Sequence, residues 1–313
     1  MWIGFSAVVL TIMVIDLGVL HRRSHVVRMR EALLMTSLCI SLALSFNVAI
    51  YFWHGWKPAM EFFTGYLLEI SLSVDNLFVF LVIFSYFAVP REVQHKVLFW
   101  GILGALVMRG IFIAVGAILL ARWHWLIYVF GAILLYTGFQ MLISGEKEIE
   151  PEKNPVIRLA RRHLRVTAEY AGAKFFVRID GVLWATPLFL VLLFVETTDL
   201  IFAVDSIPAI FGITQDPFII FTSNVFAILG LRSMFFALSG LMHLFHLLKY
   251  GLAIILMFIG AKMLAGMAHV HLPLPLTLGV VGGILVLSVL LSVLFPARGA
   301  AHSPGPATPE SSD

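Results

Sequence analysis

The chain has 313 residues, of which 60% are hydrophobic and only 12% are charged, and its mean hydropathy is +0.98. Soluble domains carry about 25% charged residues, so this composition excludes a water-soluble globular protein and predicts one embedded in lipid. The formal charge of +3 is no nucleic-acid signal, and no nucleic-acid partner is expected. The single cysteine, Cys39, excludes a disulfide framework, a cysteine-based metal cage and a CxxC redox pair.

Nine apolar runs are long enough to cross a bilayer, for which a helix needs about 20 residues. The first run resembles a signal peptide, but Arg22 and Arg23 follow it and no basic segment precedes it, which favours a retained helix. We therefore expect an all-α, polytopic membrane protein. The predicted spans are 2–20, 32–52, 61–87, 97–121, 124–144, 182–211, 217–244, 247–268 and 273–295.

The basic residues of the loops alternate between two sides of the predicted membrane. Sixteen of them fall in loops on one side, eight of these between Lys147 and Arg178, whereas the opposite loops hold only Lys57 and Arg122. Cytoplasmic loops carry the excess of Lys and Arg, so the N-terminus is expected outside and the C-terminus inside.

The predicted organisation follows these spans. Residues 145–181 form the longest loop, which is acidic at its start and basic from Arg158 to Arg178. The basic part could form a surface helix against anionic lipid, and a solvated linker is favoured over a regulatory domain. The predicted units are two N-terminal helices in 1–60, a three-helix repeat in 61–144, the linker 145–181, a second three-helix repeat in 182–268, a final helix in 269–295 and a disordered tail in 296–313.

Two stretches of the third and sixth spans carry acidic residues in a matching pattern. Each contains an acid, five further residues, an aspartate and a small polar residue, with mostly apolar sequence around it. A carboxylate at membrane depth costs roughly 2.5–3.5 kcal/mol on insertion scales, so such acids indicate a site. The candidate metal ligands are Glu69, Asp75 and Asn76 in the first copy and Glu196, Asp199, Asp205 and Ser206 in the second. We expect Asp75 and Asp205, equivalent in the repeat, to be the central ligands, with the other residues completing or flanking the shell.

The similarity between the two halves extends beyond the acids. Arg109-x-x-Phe112 matches Arg232-x-x-Phe235, and Gly138-x-x-Met141 matches Gly260-x-x-Met263. Equivalent helices run in opposite directions across the predicted membrane. The sequence therefore predicts a 3+3 inverted repeat, as in secondary transporters whose binding site lies between the repeats.

The acids of one motif copy do not all lie on one face of an ideal helix. Residues six apart are separated by about 120° around the axis. One interpretation is that both helices unwind locally, so that all the acids enter one cavity. The other is an unbroken, tilted helix whose acids serve two neighbouring sites.

The charge balance within the spans predicts a cationic ligand. The predicted spans contain six acidic and three basic residues, so three negative charges are left to be balanced by a divalent cation or by protons. The available ligands are carboxylate, amide and hydroxyl oxygens, which favour hard cations such as Mn²⁺, Mg²⁺ or Ca²⁺. The acids are Asp16 and the five motif carboxylates, and the bases are Arg109, Arg232 and Lys262.

The remaining charged residues have simpler interpretations. Arg109 and Arg232 are expected to pair with motif acids, although they could also displace the ion during transport. Asp16 lies near the inner end of the first span and is a possible site residue that could instead extend towards Arg22. Lys262 could extend outward.

The motifs resemble those of the TerC family of bacterial integral membrane proteins. The similarity lies in Glu69-Ile-Ser-Leu-Ser-Val-Asp75-Asn76, in Val195 to Pro208, in Phe99 to Arg109 and in Leu229 to Ser233, and it extends from about Phe5 to Leu294. The nearest likeness is to the pH-responsive Alx subgroup. The resemblance implies a bacterial inner-membrane protein of a family named for tellurium resistance, described as redox modulators and, for Alx members, as manganese exporters.

Two functions of different classes follow. The first is a cation/proton exchanger that exports a divalent cation, with Mn²⁺ as the preferred cargo and no permanently bound cofactor. The second is a membrane-bound redox or stress-response component linked to tellurium resistance, which would need an electron carrier. The acids favour the exporter, and no enzymatic activity is expected. Its expected partners are the bilayer, the metal ion and protons.

Overall fold

The computed structural model describes Phe5 and residues 29–143, 155–238, 247–268, 270 and 272–295, without the side chains of Asp75, Arg232 and Leu238. The predicted span 2–20 apart from Phe5, with Asp16, lies outside the described residues, as do the acidic start of the long loop and the tail 296–313. The helices are α1 Met29–His54, α2 Trp56–Tyr86, α3 Arg91–Arg122, α4 Leu126–Ile143, α5 Pro155–His163, α6 Pro187–Phe211, α7 Pro217–Leu238, α8 Leu248–Ala265 and α9 Leu274–Leu294.

The all-α membrane class is confirmed. Among the described residues, seven helices are long and apolar enough to cross a membrane, namely α1, α2, α3, α4, α6, α8 with its 3₁₀ extension Gly266–Ala268, and α9. The apolar part of α7, Pro217–Leu231, is shorter. The count of nine spans stays a prediction.

The sixth predicted span begins later than the sequence suggested. Residues Val182–Ala185 form strand β2, which pairs antiparallel with β1, Phe176–Ile179. Asp180 and Gly181 join the strands with positive φ angles of 48° and 77°, as a tight hairpin turn requires. Helix α6 then starts at Pro187, because proline lacks the backbone donor that a first helical turn leaves unused.

The two acidic motifs lie on helices without a break. Helix α2 is α-helical throughout its 31 residues, and α6 is α-helical throughout its 25 residues, although Pro208 lies inside it. Of the two interpretations left open by the sequence, the structure therefore favours the unbroken helices. Thr197 and Thr198 donate to the carbonyl oxygens four residues earlier rather than bonding to freed backbone groups.

The two ends of the helix bundle carry different connections. At one end, Thr214 after α6 donates a hydrogen bond to Glu61 of α2 over 2.7 Å. At the other end, the segment between α5 and α6 contacts the α2–α3 turn, where the Tyr170 hydroxyl donates to the carbonyl oxygen of Phe87 over 2.6 Å. The second end also carries α5 and the β-hairpin, so most of the described basic loop residues lie there.

Helices α4 and α8, which occupy the same position in the two proposed repeats, pack closely and run antiparallel. A Cβ added at Gly138 would lie 2.7 Å from the carbonyl oxygen of Ala253, and one at Gly260 would lie 2.6 Å from that of Gly131. Because Gly138 matches Gly260 and Gly131 matches Ala253 in the repeat, each of these contacts is the counterpart of the other. An inverted repeat requires this arrangement, although the repeat itself stays a prediction.

Candidate functional site

Helices α2 and α6 form the centre of the candidate site and lie side by side in opposite directions. Glu61 bonds to Thr214, a Cβ added at Gly65 would lie 3.1 Å from the Ile210 side chain, and Asn76 bonds to Asp199. These pairs show that a residue further along α2 lies opposite a residue that is equally many positions earlier in α6. The same register sets Glu69 opposite Ser206.

Arg109 of α3 joins an acid of each motif copy. Its Nη1 donates to Oε2 of Glu69 over 2.6 Å, and its Nη2 donates to Oδ1 of Asp199 over 3.3 Å. The three side chains are buried, with Arg109 2% exposed, Glu69 0% and Asp199 3%. Buried charges need such partners, since desolvating an unpaired ion is costly. The predicted pairing of Arg109 with motif acids is therefore present in the structure.

A polar side chain of the first motif completes the contact between the two copies. Asn76 is 1% exposed, and its Nδ2 donates to the same Asp199 oxygen, Oδ1, over 3.3 Å. Asp199 thus uses one carboxylate oxygen for two donors. Glu69 likewise uses only Oε2 for Arg109.

The second oxygen of each carboxylate lacks a donor. Among the described residues, seven buried side-chain nitrogen or oxygen atoms have no hydrogen-bond partner, and six of them belong to this part of the molecule. An unsatisfied buried polar atom costs about 1–3 kcal/mol, so a cluster of them is a candidate binding site for a group that supplies the partners. Four are oxygens able to coordinate a cation: Glu69 Oε1, Asn76 Oδ1, Asp199 Oδ2 and Ser206 Oγ.

Glu196 lies on the same side of α6 as Asp199 and also packs against α3, but beside Gly104, five residues before Arg109. A Cβ added at Gly104 would lie 2.0 Å from Oε1 of Glu196, so the carboxylate occupies the space that this glycine leaves open. Glu196 is half-buried, unlike Asp199 three residues later. The structure therefore does not bring Glu196 into the hydrogen-bonded cluster around Arg109.

Asp205 faces a third helix. Its Oδ1 accepts a hydrogen bond from the Thr137 hydroxyl of α4 over 3.0 Å, and its side chain is half-buried. Asp199 and Asp205 lie about 120° apart around an unbroken helix, so they contact different neighbours. The second interpretation of the motif, an intact helix whose acids reach more than one location, describes this arrangement.

The family model described as the integral membrane protein TerC family matches residues 54–300. The chain belongs to this family. The match includes both acidic motifs, Arg109 and Arg232, so the predicted resemblance is confirmed.

Curated proteins similar to this TerC chain cover nearly its whole length. A Myxococcus xanthus protein described as an uncharacterized membrane protein is 50% identical over 294 residues, which are 94% of this chain and 92% of that protein. An Escherichia coli (strain K12) protein named "Putative membrane-bound redox modulator Alx" is 47% identical over 302 residues, 93% of this chain and 94% of that protein. A Salmonella typhi protein of the same name is 48% identical over 302 residues. No solved structure matches the chain.

Three predicted site residues of the TerC chain have no described side chain. The side chains of Asp75 and Arg232, and all of Asp16, lie outside the described residues. Among the described side chains, no group of three or more His, Cys, Asp or Glu is arranged to hold a metal ion. Lys262, the third basic residue predicted at depth, is half-buried and lies near Glu61 at the start of α2.

Sequence analysis missed a polar residue of α7. Asn224 is 1% exposed, and its side-chain amide is a neighbouring donor for the Glu69 carboxylate, although its Nδ2 has no partner within strict hydrogen-bond geometry. It follows Thr222 and Ser223, which are also buried. Three successive polar residues in the middle of an apolar span are the signal that could have identified it.

Proposed function

We propose that this protein is a transporter that exports a divalent cation, with Mn²⁺ as its preferred cargo, at the buried polar cluster between α2, α3 and α6. The observation that carries the proposal is the set of four buried oxygens without donors, on Glu69, Asn76, Asp199 and Ser206. Carboxylate, amide and hydroxyl oxygens suit hard cations such as Mn²⁺, Mg²⁺ and Ca²⁺.

The role of Arg109 in this proposal is to hold the two carboxylates in place. It bonds to one oxygen of Glu69 and one of Asp199, which leaves the other oxygen of each for the cargo. Two carboxylates and one arginine have a net charge of −1, so a second unpaired acid would complete the neutralisation of a divalent ion. Asp75, one residue before Asn76, is the proposed source of that charge.

Exchange for protons follows from the same charges. When the cation leaves, neighbouring carboxylates in a medium of low dielectric cannot all stay ionised, so some of them bind protons. Export of the cation would then be coupled to entry of protons. With the N-terminus outside and the basic end of the bundle in the cytoplasm, as the loop charges favour, the protein would act in the bacterial inner membrane.

The alternative function is a membrane-bound redox component, and its support is the name that the Alx relatives carry rather than any feature of the cluster. The sequence has one cysteine, Cys39, so a dithiol couple would need a second protein. A redox role of this chain by itself would therefore require a bound electron carrier.

Transport by the purified protein in proteoliposomes tests the proposal. Vesicles that are acidic inside should take up Mn²⁺ faster than vesicles without a pH gradient, and Mg²⁺ and Ca²⁺ should be compared under the same conditions. Absence of uptake for all three cations, together with a redox-active absorbance band in the purified protein, would favour the redox function instead.

A further inference from the structure

Residues 155–186, the described part of the connection between α4 and α6, combine exposed basic side chains with exposed apolar ones. Between residues 155 and 186 all six Lys and Arg side chains are exposed, and only two acids, Glu169 and Asp180, accompany them. The basic residues are Arg158, Arg161, Arg162, Arg165, Lys174 and Arg178.

Helix α5 has three distinct sides. Ile157 and Ala160 are 1% and 9% exposed and pack into the hydrophobic core that includes Leu188 of α6. Leu159, 59% exposed, lies on another side, between Val156 and Arg162 on an ideal helix. The third side carries Arg158 and the remaining arginines, so the helix is fixed to the bundle by one side and offers an apolar and a basic side outward.

The β-hairpin adds a second apolar surface to the same end of the bundle. Cross-strand pairing puts Val177, Ile179, Val182 and Trp184 on one face, and Ile179 and Val182 are 42% and 40% exposed. Leu183, on the other face, is 60% exposed. Arg165 lies over the Trp184 ring, with its guanidinium carbon 6.0 Å from the ring centroid.

Both surfaces lie at one end of the helix bundle, where the membrane boundary is expected. The chain is tied to the α2–α3 turn by the Tyr170 bond to Phe87 and by Lys96, which donates to the Ala173 carbonyl and lies 4.9 Å from the Phe175 ring centroid. The hairpin joins α6 directly, where Phe176 and Phe189 have ring centroids 4.5 Å apart. The ends of three membrane-spanning helices therefore surround it.

We propose that α5 and the β-hairpin form a docking surface for anionic lipid headgroups on the adjacent membrane leaflet. Apolar side chains such as Leu159 and Ile179 would enter the boundary between headgroups and acyl chains, while the arginines bind lipid phosphates. Charge complementarity favours anionic lipid, because residues 155–186 carry six basic and two acidic side chains and would therefore repel a cationic partner and attract an anionic one. The inference does not depend on what the protein transports.

Fluorescence quenching by brominated lipids in the reconstituted full-length protein tests the surface. A bimane label on Leu159→Cys, in a Cys39→Ala background, should be quenched several-fold more in vesicles of phosphatidylglycerol and phosphatidylcholine than in phosphatidylcholine alone. High salt should reduce the difference, since it screens surface charge. Ile179→Cys provides a second label should the first variant fail to fold.

Charge variants separate lipid docking from simple proximity to the membrane. Each arginine near an anionic surface contributes about 1 kcal/mol, so removal of each one should lower the docked-to-undocked ratio roughly fivefold. Arg158→Gln/Arg161→Gln/Arg162→Gln should abolish the dependence on phosphatidylglycerol, whereas Arg122→Gln at the opposite end should not change it. Equal quenching in both lipids would overturn the inference. So would a label that is shielded from aqueous iodide but not quenched by lipid, which would indicate contact with protein, such as a second copy of the chain.

Discussion

Asn76 of α2 donates from Nδ2 to Oδ1 of Asp199 of α6 over 3.3 Å, and so joins the two copies of the acidic motif directly. In the repeat, Asn76 matches Ser206 and Asp199 matches Glu69. The counterpart of this hydrogen bond is therefore a Ser206–Glu69 contact, and the helix register sets those two residues opposite each other. Both keep an unsatisfied oxygen, Glu69 Oε1 and Ser206 Oγ.

Arg109 should show strong energetic coupling to the acids it bridges. Arg109→Met leaves Glu69 and Asp199 as buried charges without a partner, which we expect to destabilise the protein by about 3–5 kcal/mol. Asp199→Asn added to Arg109→Met removes one of those charges and should restore part of the loss. Thermal unfolding in detergent measures both variants, and a double variant as unstable as the sum of the single ones would contradict the coupling.

Asp199 and Asp205 should differ in their importance for transport. Asp199→Asn removes a charge from the cluster around Arg109, and we expect Mn²⁺ uptake to fall roughly tenfold or more. Asp205→Asn can still accept the hydrogen bond from Thr137 and lies outside that cluster, so its effect should be smaller. Uptake into proteoliposomes at matched protein levels measures both. Equal losses would mean that the two acids serve one site.

Gly104 should be needed for the position of Glu196. Gly104→Ala puts a methyl group into the space of the Glu196 carboxylate, which is the flexible end of its side chain and has to move away. We expect a loss of stability at or below about 1 kcal/mol, the low end for overpacking, because a flexible side chain can move aside. Glu196→Ala removes the obstructing group, so the double variant Gly104→Ala/Glu196→Ala should be no less stable than Glu196→Ala alone. Additive losses in a thermal unfolding experiment would argue against the contact.

The close contact between α4 and α8 should tolerate no larger residue. Gly138→Ala and Gly260→Ala each place a Cβ within 2.7 Å of a backbone carbonyl oxygen, which cannot move aside as a side chain can. Both should lower stability, by about 1–3 kcal/mol and to a similar extent, because the repeat makes the positions equivalent. Gly282→Ala on α9 is the matched control, since nothing lies within 4 Å of its added Cβ. A neutral result at both α4 and α8 positions would refute this packing.

Labelling of introduced cysteines tests the orientation. Leu183→Cys in the β-hairpin and Trp125→Cys between α3 and α4 are exposed and lie at opposite ends of the bundle. In a Cys39→Ala background, a membrane-impermeant thiol reagent applied to intact cells should label Trp125→Cys, because the hairpin end carries the basic residues. Labelling of the hairpin from outside would reverse the proposed topology.

Seven of the predicted spans and the Arg109 ion pair were predictable from the sequence. Apolar runs with few charges define spans because lipid satisfies no backbone groups, and Arg109 needs acids because it lies at membrane depth. The start of α6 was placed too early because Val182, Leu183 and Trp184 are apolar and give no sign that they form a strand. The Asp-Gly turn before them was the local evidence for a hairpin.

The distribution of the acids among neighbours depended on packing that the sequence does not specify. Periodicity assigned Asp199 and Asp205 to different faces, but only the neighbouring helices determine that Asp199 contacts Arg109 and Asp205 contacts Thr137. The interpretation with one cavity for all acids required unwound helices. Ser71 and Thr197 instead donate to carbonyl oxygens of their own helices, both of which are unbroken.

Binding of Mn²⁺ to the purified protein tests the proposed cation site most directly. Electron paramagnetic resonance of Mn²⁺ titrated into the reconstituted protein reports the bound fraction, for the wild type, Asp199→Asn and the control Asp216→Asn. Asp216 caps α7 through a 2.8 Å bond from the Phe218 amide, away from the cluster, and asparagine can make the same bond. We expect saturable binding in the wild type and the control, and an affinity lower by roughly tenfold or more in Asp199→Asn. Wild-type affinity in a folded Asp199→Asn variant would contradict a cation site at this cluster.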